Sequence, residues 1–301
     1  MVRHIVEAQQ FDVQFLEDLF AEAERMRQAK NSHLLEGRIM ASLFYEPSTR
    51  TRLSFESAMY RLGGQVITTE NALEFSSAIK GETLEDTVRV VSGYADAIVL
   101  RHHEEGSAQR AAEISPVPVI NAGDGKGQHP TQTLLDVYTI KRHLGGIAGL
   151  RIAMVGDLKN GRTVRSLSYL IGKYPGTSIV FVSPPQLSMG ADIKEYLDRQ
   201  QVPWEEHADL NAVLPNVDCV YMTRIQRERM TPEGYAAAKG RCILDEGNVG
   251  LMKQHAIILH PLPRVDEISP AIDADPRSRY FDQAANGLYV RMALLKWVLL
   301  D

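Results

Sequence analysis

At residues 48–52 the chain reads STRTR, which gathers hydroxyl side chains and Arg50 at the start of a helix-forming stretch. Free backbone N–H groups and the positive end of the helix dipole favour an anion at such a place. Phosphate is the ligand that suits hydroxyls beside a guanidinium. The plain alternative is a helix cap followed by surface arginines, since Ser and Thr are common caps. Farther on, NAGDGKGQHPTQ places a glycine-rich turn ahead of His129 and Gln132 at a second helix start. An imidazole and an amide there suit a neutral, carbonyl-bearing ligand, against the ordinary alternative of a loop histidine bonded to backbone carbonyls.

Two arginine-bearing segments follow. GDLKNGRT runs from Gly156 through Gly161 with nearly the spacing of a phosphate-cradling P-loop, but Arg162 stands where that motif needs lysine. An arginine fork suits a carboxylate held by two hydrogen bonds, whereas the P-loop lysine serves as a point charge on nucleotide phosphates. TRIQRER supplies Arg224, Gln226, Arg227 and Arg229 directly after an apolar run, and Arg224 is the one placed to point inward. HPLPR fixes a loop through two prolines and leaves the carbonyls of Pro261 and Leu262 able to accept hydrogen bonds. His102 and His103 are adjacent, lack patterned Cys or carboxylate neighbours, and read as loop residues; no metal site is expected.

The elements that must position these groups alternate. Behind Asp12, a candidate N-cap, Val13, Leu16, Phe20, Ala23 and Met26 recur at helical spacing. RIMASLFYE then reads as a strand running into the STRTR helix, which ends at Gly63 and Gly64. Strands QVITT, AIVLR and VPVINAG alternate with helices ETLEDTVRVVSGY, SAQRAAEI and PTQTLLDVYTIKRHLG. The pattern restarts at LRIAMVGD and continues through TVRSLSYLIGKY, SIVFVS, ADIKEYLDRQ and the strands CVYMT, CILD and AIILHPLP. This predicts an α/β chain of two parallel-sheet units with helices on both faces. The first covers 1–131 and the second 132–284, and an apolar helix over 285–301 packs back on the first. Ligands of parallel sheets bind at the C-terminal strand ends, where each polar cluster falls.

Bulk properties agree with such a chain. With 301 residues and 44% hydrophobic content it can bury two ordinary cores. Its 33 basic and 38 acidic residues give a net charge of −5, so neither nucleic acid nor an anionic membrane is an expected partner. Cys219 and Cys242 show no metal-ligand spacing, which suits a reducing, cytoplasmic setting. The N-terminal residues are interrupted by His4, Glu7 and Gln9 before a signal region could form, and no membrane-spanning run is expected.

Taken in order and at these separations, STRTR, HPTQ, GDLKNGRT, TRIQRER and HPLPR resemble the aspartate carbamoyltransferases across essentially the whole chain. The ornithine carbamoyltransferases share the first two motifs but generally carry HCLP where this chain has His260-Pro261-Leu262-Pro263. Their SMG loop occupies the place of TRIQRER, whereas Ser188, Met189 and Gly190 lie upstream of it. Arg162 and Arg224 also suit a dicarboxylate and would repel a cationic ornithine side chain.

The resemblance implies that Ser48, Thr49, Arg50, Thr51 and Arg101 hold phosphate, with Thr51, Arg101 and His129 reaching the carbonyl oxygen of carbamoyl phosphate. Gln132 and the Pro261 and Leu262 carbonyls hold the carbamoyl amine. Arg162, Arg224 and Gln226 bind aspartate, with Thr163, Leu262 and Arg291 in supporting places, and Ser76 and Lys80 reach the site of a neighbouring subunit. A homotrimer without cofactor follows; regulatory chains, where present, are separate polypeptides. Asn160, Arg165 and Gly234 replace a Tyr, a His and an acidic residue of a regulated form, leaving regulation open. In the implied reaction the uncharged amine attacks the carbamoyl carbon, donors stabilise the growing oxyanion, and phosphate departs with the proton. A P-loop nucleotide binder and a catalytically silent scaffold are the alternatives; the first wants a loop lysine and the second predicts losses among Arg50, Arg101, His129 and Arg224, all present.

Overall fold

The computed structural model describes residues 2–28, 32–72 and 80–300. It divides into two units: the first takes the chain up to Leu135 and again from Ala285, and the second runs Asp136–Ala284. The divisions fall within helices, at Leu135–Asp136 and Ala284–Ala285. Two separate parallel sheets with helices around them agree with the expected fold class.

Unit 1 contains four parallel strands, β1 (Ile39–Phe44), β2 (Gln65–Glu70), β3 (Ala97–His102) and β4 (Val119–Asp124), in the order β2-β1-β3-β4. The interior strands β1 and β3 are almost wholly buried, as continuous apolar runs require when both sheet faces are covered. No residue of edge strand β2 is buried. Around the sheet stand α1 (Val13–Gln28), α2 (Thr49–Arg61), α3 (Leu84–Val91), α4 (Ser107–Ile114) and the first part of α5 (Pro130–Leu144). The Asp12 carboxylate accepts the Phe15 N–H at 2.7 Å, the expected cap, and α1 buries Leu16, Leu19, Phe20, Ala23 and Met26.

The last helix, α10, spans Tyr280–Leu299 and so starts ahead of the expected residue 285. Its later part packs on α1: Trp297 stands edge-on to Phe15 at 4.8 Å and the Lys296 ammonium meets Glu22 at 2.9 Å. None of the described helices is long and apolar enough to cross a membrane.

Unit 2 holds five parallel strands, β5 (Arg151–Val155), β6 (Ser178–Val182), β7 (Trp204–His207), β8 (Cys219–Met222) and β9 (Ile257–Leu259), ordered β7-β6-β5-β8-β9. Helices α6 (Arg162–Ile171), α7 (Ala191–Arg199), α8 (Leu210–Val213) and α9 (Pro232–Ala238) accompany them. Its core joins Val155, Val180, Val220, Met222 and Ile258 from the sheet to Leu210, Leu214 and Ile268 outside it.

CILD is not a strand. Cys242 sits at φ +59°, a left-handed conformation that interrupts extended backbone, and Leu244 alone bridges to Ile268. Conversely β7, WEEH, was not expected: as an edge strand it carries little apolar alternation to mark it.

Candidate active site

In unit 1 the polar clusters leave three adjacent strands at one edge. Phe44 at the end of β1 is in register with Arg101 near the end of β3, and the Tyr45 N–H donates to the Arg101 carbonyl at 2.9 Å. The segment after β1 turns at Ser48, the N-cap residue of α2, so Thr49, Arg50 and Thr51 occupy that helix's first turn. Thr51 is buried while Arg50 is exposed as a residue. Protein around the Arg50 guanidinium removes enough water to lower its pKa, and among the described residues it has no ion-pair partner. An anion arriving there meets a cation whose solvation is already reduced, which favours pairing.

Arg101 is buried and its fork is held open. One terminal nitrogen donates to the Ala122 carbonyl at 3.1 Å and the other meets the Glu46 carboxylate at 2.8 Å. The third loop follows β4. The Asp124 carboxylate accepts N–H bonds from Gln128 at 2.8 Å and Gly106 at 3.1 Å, tying together the turns after β4 and β3. Gly125 is required at φ +49°, since a Cβ there would lie 2.6 Å from the His103 carbonyl oxygen. The turn delivers His129 to the start of α5, where its carbonyl accepts the Gln132 and Thr133 N–H groups. His129 is only 5% exposed, and Gln132 is half-buried one turn later.

Arg291, on α10, serves the same unit: it is buried, donates to the Ser54 hydroxyl at 2.9 Å and lies 5.1 Å from the Phe55 ring centre. It therefore braces α2, whose first turn carries the hydroxyl cluster. Lys80 is exposed, and Ser76 lies outside the described residues.

His102 ends β3 rather than standing in a loop, and it is buried against Tyr45 at 4.8 Å. Burial, with the neighbouring His103, pushes its pKa down to about 4. Among the described residues no group of His, Cys, Asp or Glu is arranged to hold a metal. Because the unfolded His102 binds a proton near pH 6.5 and the folded one only near 4, stability falls as pH drops through that window. We expect the urea midpoint to decline between pH 6.5 and 4, and to decline less steeply in His102→Gln.

In unit 2 the clusters again leave neighbouring strands, β5, β8 and β9. After β5 the chain turns at Gly156, at φ +112°, and continues to Gly161, the N-cap residue of α6, which places Arg162 first in that helix. The fully buried Asp157 organises the loop. Its carboxylate accepts the Asn160 N–H at 3.0 Å and the Gln226 N–H at 3.3 Å, so it ties the Arg162 loop to the Arg224–Gln226 loop after β8. The Arg229 guanidinium adds a bond to the Asn160 carbonyl at 3.2 Å. Two arginine-bearing loops are thus tied together beside half-buried Thr163.

A Cβ on Gly156 would stand 2.2 Å from the Thr223 carbonyl oxygen. Gly156→Ala therefore combines an unfavourable φ with a backbone clash, and we expect a loss of about 3 kcal/mol or more, read as a lower thermal midpoint.

The third loop of unit 2 is HPLPR. Leu262 adopts φ +50°, and neither the Pro261 nor the Leu262 carbonyl accepts a hydrogen bond from a described residue. Both residues are half-buried, and a carbonyl oxygen so placed can accept a hydrogen bond. The SMG letters do something else: Ser188 bonds the Pro185 carbonyl at 2.6 Å and Gly190 is the N-cap residue of α7. Just before them, the Leu187 carbonyl accepts the Leu158 and Lys159 N–H groups and so supports the Arg162 loop.

Comparison with known proteins decides the family. Residues 3–142 match the carbamoyl-P binding domain of aspartate/ornithine carbamoyltransferase, and residues 148–298 match its Asp/Orn binding domain. The chain belongs to the aspartate/ornithine carbamoyltransferase family. It is 58% identical to the chloroplastic aspartate carbamoyltransferase of Oryza sativa subsp. japonica, over 98% of this chain and 84% of that protein. With the catalytic subunit of aspartate carbamoyltransferase from Methanopyrus kandleri it shares 50% identity, over 99% and 97% of the two chains. The crystal structure of aspartate transcarbamoylase from Trypanosoma cruzi in complex with carbamoyl phosphate and aspartate superposes with a TM-score of 0.93 at 40% identity, over 99% and 97%.

Within this family member, Ser48, Thr49, Arg50, Thr51, Arg101, His129 and Gln132 stand at the C-terminal ends of adjoining strands of unit 1 or at the helix starts that follow them. Arg162 and Thr163 open α6 after β5, and Arg224, Gln226, Pro261 and Leu262 stand on the loops after the neighbouring strands β8 and β9 of unit 2. Sequence reasoning did not find Asp157, Glu46 or Asp124, each of which shapes a loop from beneath. The aspartates stand in glycine-bearing turns, where Asp commonly accepts nearby backbone N–H groups, and that was the available signal. Of the departures from a regulated form, Asn160 bonds Asp157, Arg165 pairs with Asp192, and the Gly234 N–H donates to the Thr231 hydroxyl that caps α9.

Proposed function

We propose that the chain transfers the carbamoyl group of carbamoyl phosphate to the α-amino group of L-aspartate, yielding N-carbamoyl-L-aspartate and phosphate, an early step of pyrimidine synthesis. The observation that carries the assignment of roles is the grouping of STRTR, Arg101 and HPTQ at the ends of three adjacent parallel strands. Unit 1 is then the carbamoyl phosphate domain: Ser48, Thr49, Arg50, Thr51 and Arg101 bind phosphate, and Thr51, Arg101 and His129 face the carbonyl oxygen. Gln132 and the Pro261 and Leu262 carbonyls bind the carbamoyl amine. Unit 2 binds aspartate through Arg162, Thr163, Arg224 and Gln226, with Leu262 beside it.

As the neutral amine adds to the carbamoyl carbon, charge collects on the carbonyl oxygen and is met by donors already in place. The departing phosphate takes the amine proton, which relieves the protein of supplying a general base. A cationic ornithine side chain would meet Arg162 and Arg224 unfavourably, which supports aspartate as acceptor.

The working assembly is a homotrimer in the cytoplasm, a compartment supported by two free thiols, Cys219 buried and Cys242 half-buried. Ser76 and Lys80 serve the neighbouring subunit, and regulatory chains, if they join, are separate. Mixing Lys80→Ala with His129→Ala trimers and reassembling hybrids tests the shared site. Activity should return in the hybrids; continued inactivity of well-folded hybrids contradicts sharing.

A further inference from the structure

A buried polar pair lies directly behind the HPLP loop. His260 is 2% exposed and Glu267 6%. The Nε2 atom of His260 lies 2.6 Å from a Glu267 carboxylate oxygen, and its Nδ1 accepts the Leu262 N–H at 2.7 Å. A ring nitrogen that accepts carries no proton, so the proton of a neutral ring must sit on Nε2, where it donates to Glu267. The Val265 N–H and Asp266 N–H also donate to Glu267, at 3.2 Å each, which keeps that group an acceptor.

The backbone of His260 is fixed as well. Its N–H donates to the Gln283 side-chain oxygen at 2.8 Å, and the Gln283 amide donates to Asp136 at 2.6 Å. Asp136 in turn accepts the Tyr221 hydroxyl at 2.7 Å. One chain of buried hydrogen bonds therefore joins the HPLP loop to Tyr221 on β8, within unit 2.

We infer that His260 is a positioning residue for the transfer: locked by Glu267 as the Nε2–H tautomer, it clamps the Leu262 N–H and so aims the Leu262 and Pro261 carbonyls at the carbamoyl amine. Leu262 has a left-handed φ that a non-glycine residue holds only when its surroundings impose it. The Nδ1 bond is the restraint at that residue. The inference rests on the proposed role of the two carbonyls.

Two variants separate the halves of the ring. His260→Asn can place an amide oxygen where Nδ1 stood, while His260→Gln reaches toward Glu267 and abandons Leu262. We expect His260→Gln to lose about tenfold or more in kcat/KM for carbamoyl phosphate. His260→Asn should stay within about threefold of the parent, and KM for aspartate at saturating carbamoyl phosphate should change little in either.

Because either variant can fail to fold, the unaltered chain is also examined by 15N NMR of its nine histidines. Nδ1 of His260 should be unprotonated at pH 7. An Nδ1–H tautomer or an imidazolium overturns the inference at its root. The expected tautomer together with unchanged carbamoyl phosphate kinetics in folded His260→Gln also overturns it, and traces the failure to the role given to the carbonyls.

Discussion

Replacing Arg101 with Ala lowers turnover by about a hundredfold to a thousandfold, the usual cost of removing one donor aimed at a developing oxyanion. The side chain is suited to that role by its restraint. With one arm on the Ala122 carbonyl and another against Glu46, it needs little reorganisation as charge grows on the substrate. Arg101→Lys keeps the charge but not the planar fork, so it should recover only part of the lost rate. Thermal unfolding should accompany the kinetics, because removing the guanidinium leaves the Glu46 carboxylate without it. The mark of the catalytic role is a fall in kcat in protein that still melts cooperatively.

Arg162→Ala should act on the other reactant, lowering kcat/KM for aspartate by about a hundredfold to a thousandfold, as expected when one partner of a buried charge-assisted pair is lost. Arg162 opens α6, on a loop that Asp157 ties to Arg224 and Gln226. Losing one arginine leaves the neighbouring one to hold a dianion, so binding weakens without being abolished. The affinity for carbamoyl phosphate should remain within about threefold of the parent, since its phosphate anchors belong to unit 1. Steady-state kinetics with each substrate varied in turn separates the two effects.

The parts of this chain legible in its sequence are the local ones. Asp12 as a cap, the STRTR and HPTQ helix starts and the two series of parallel strands are each set by neighbours a few residues away. CILD misled because four residues cannot reveal a left-handed Cys242 or a distant partner at Ile268. WEEH escaped because an edge strand need not be apolar, and its pairing with β6 is decided by the sheet.

The supporting carboxylates were illegible for the same reason. Asp157 meets Gln226, Asp136 meets Tyr221, and Glu46 meets Arg101, all far apart along the chain. A sequence can nominate the arginines that meet a substrate by their chemistry. It says little about the buried acids that hold them in place, because an Asp or Glu in a turn looks the same whether it caps, pairs or faces solvent.

The division of labour between the units is the centre of the account, and calorimetric titration of carbamoyl phosphate into three proteins tests it most directly. The parent and Arg162→Ala should bind with affinities within about threefold of each other, and Arg50→Ala should bind about a hundredfold more weakly or not at all. Equal loss of binding in Arg50→Ala and Arg162→Ala, or full binding by Arg50→Ala, would contradict the assignment of phosphate to the STRTR turn and of aspartate to the paired arginine loops.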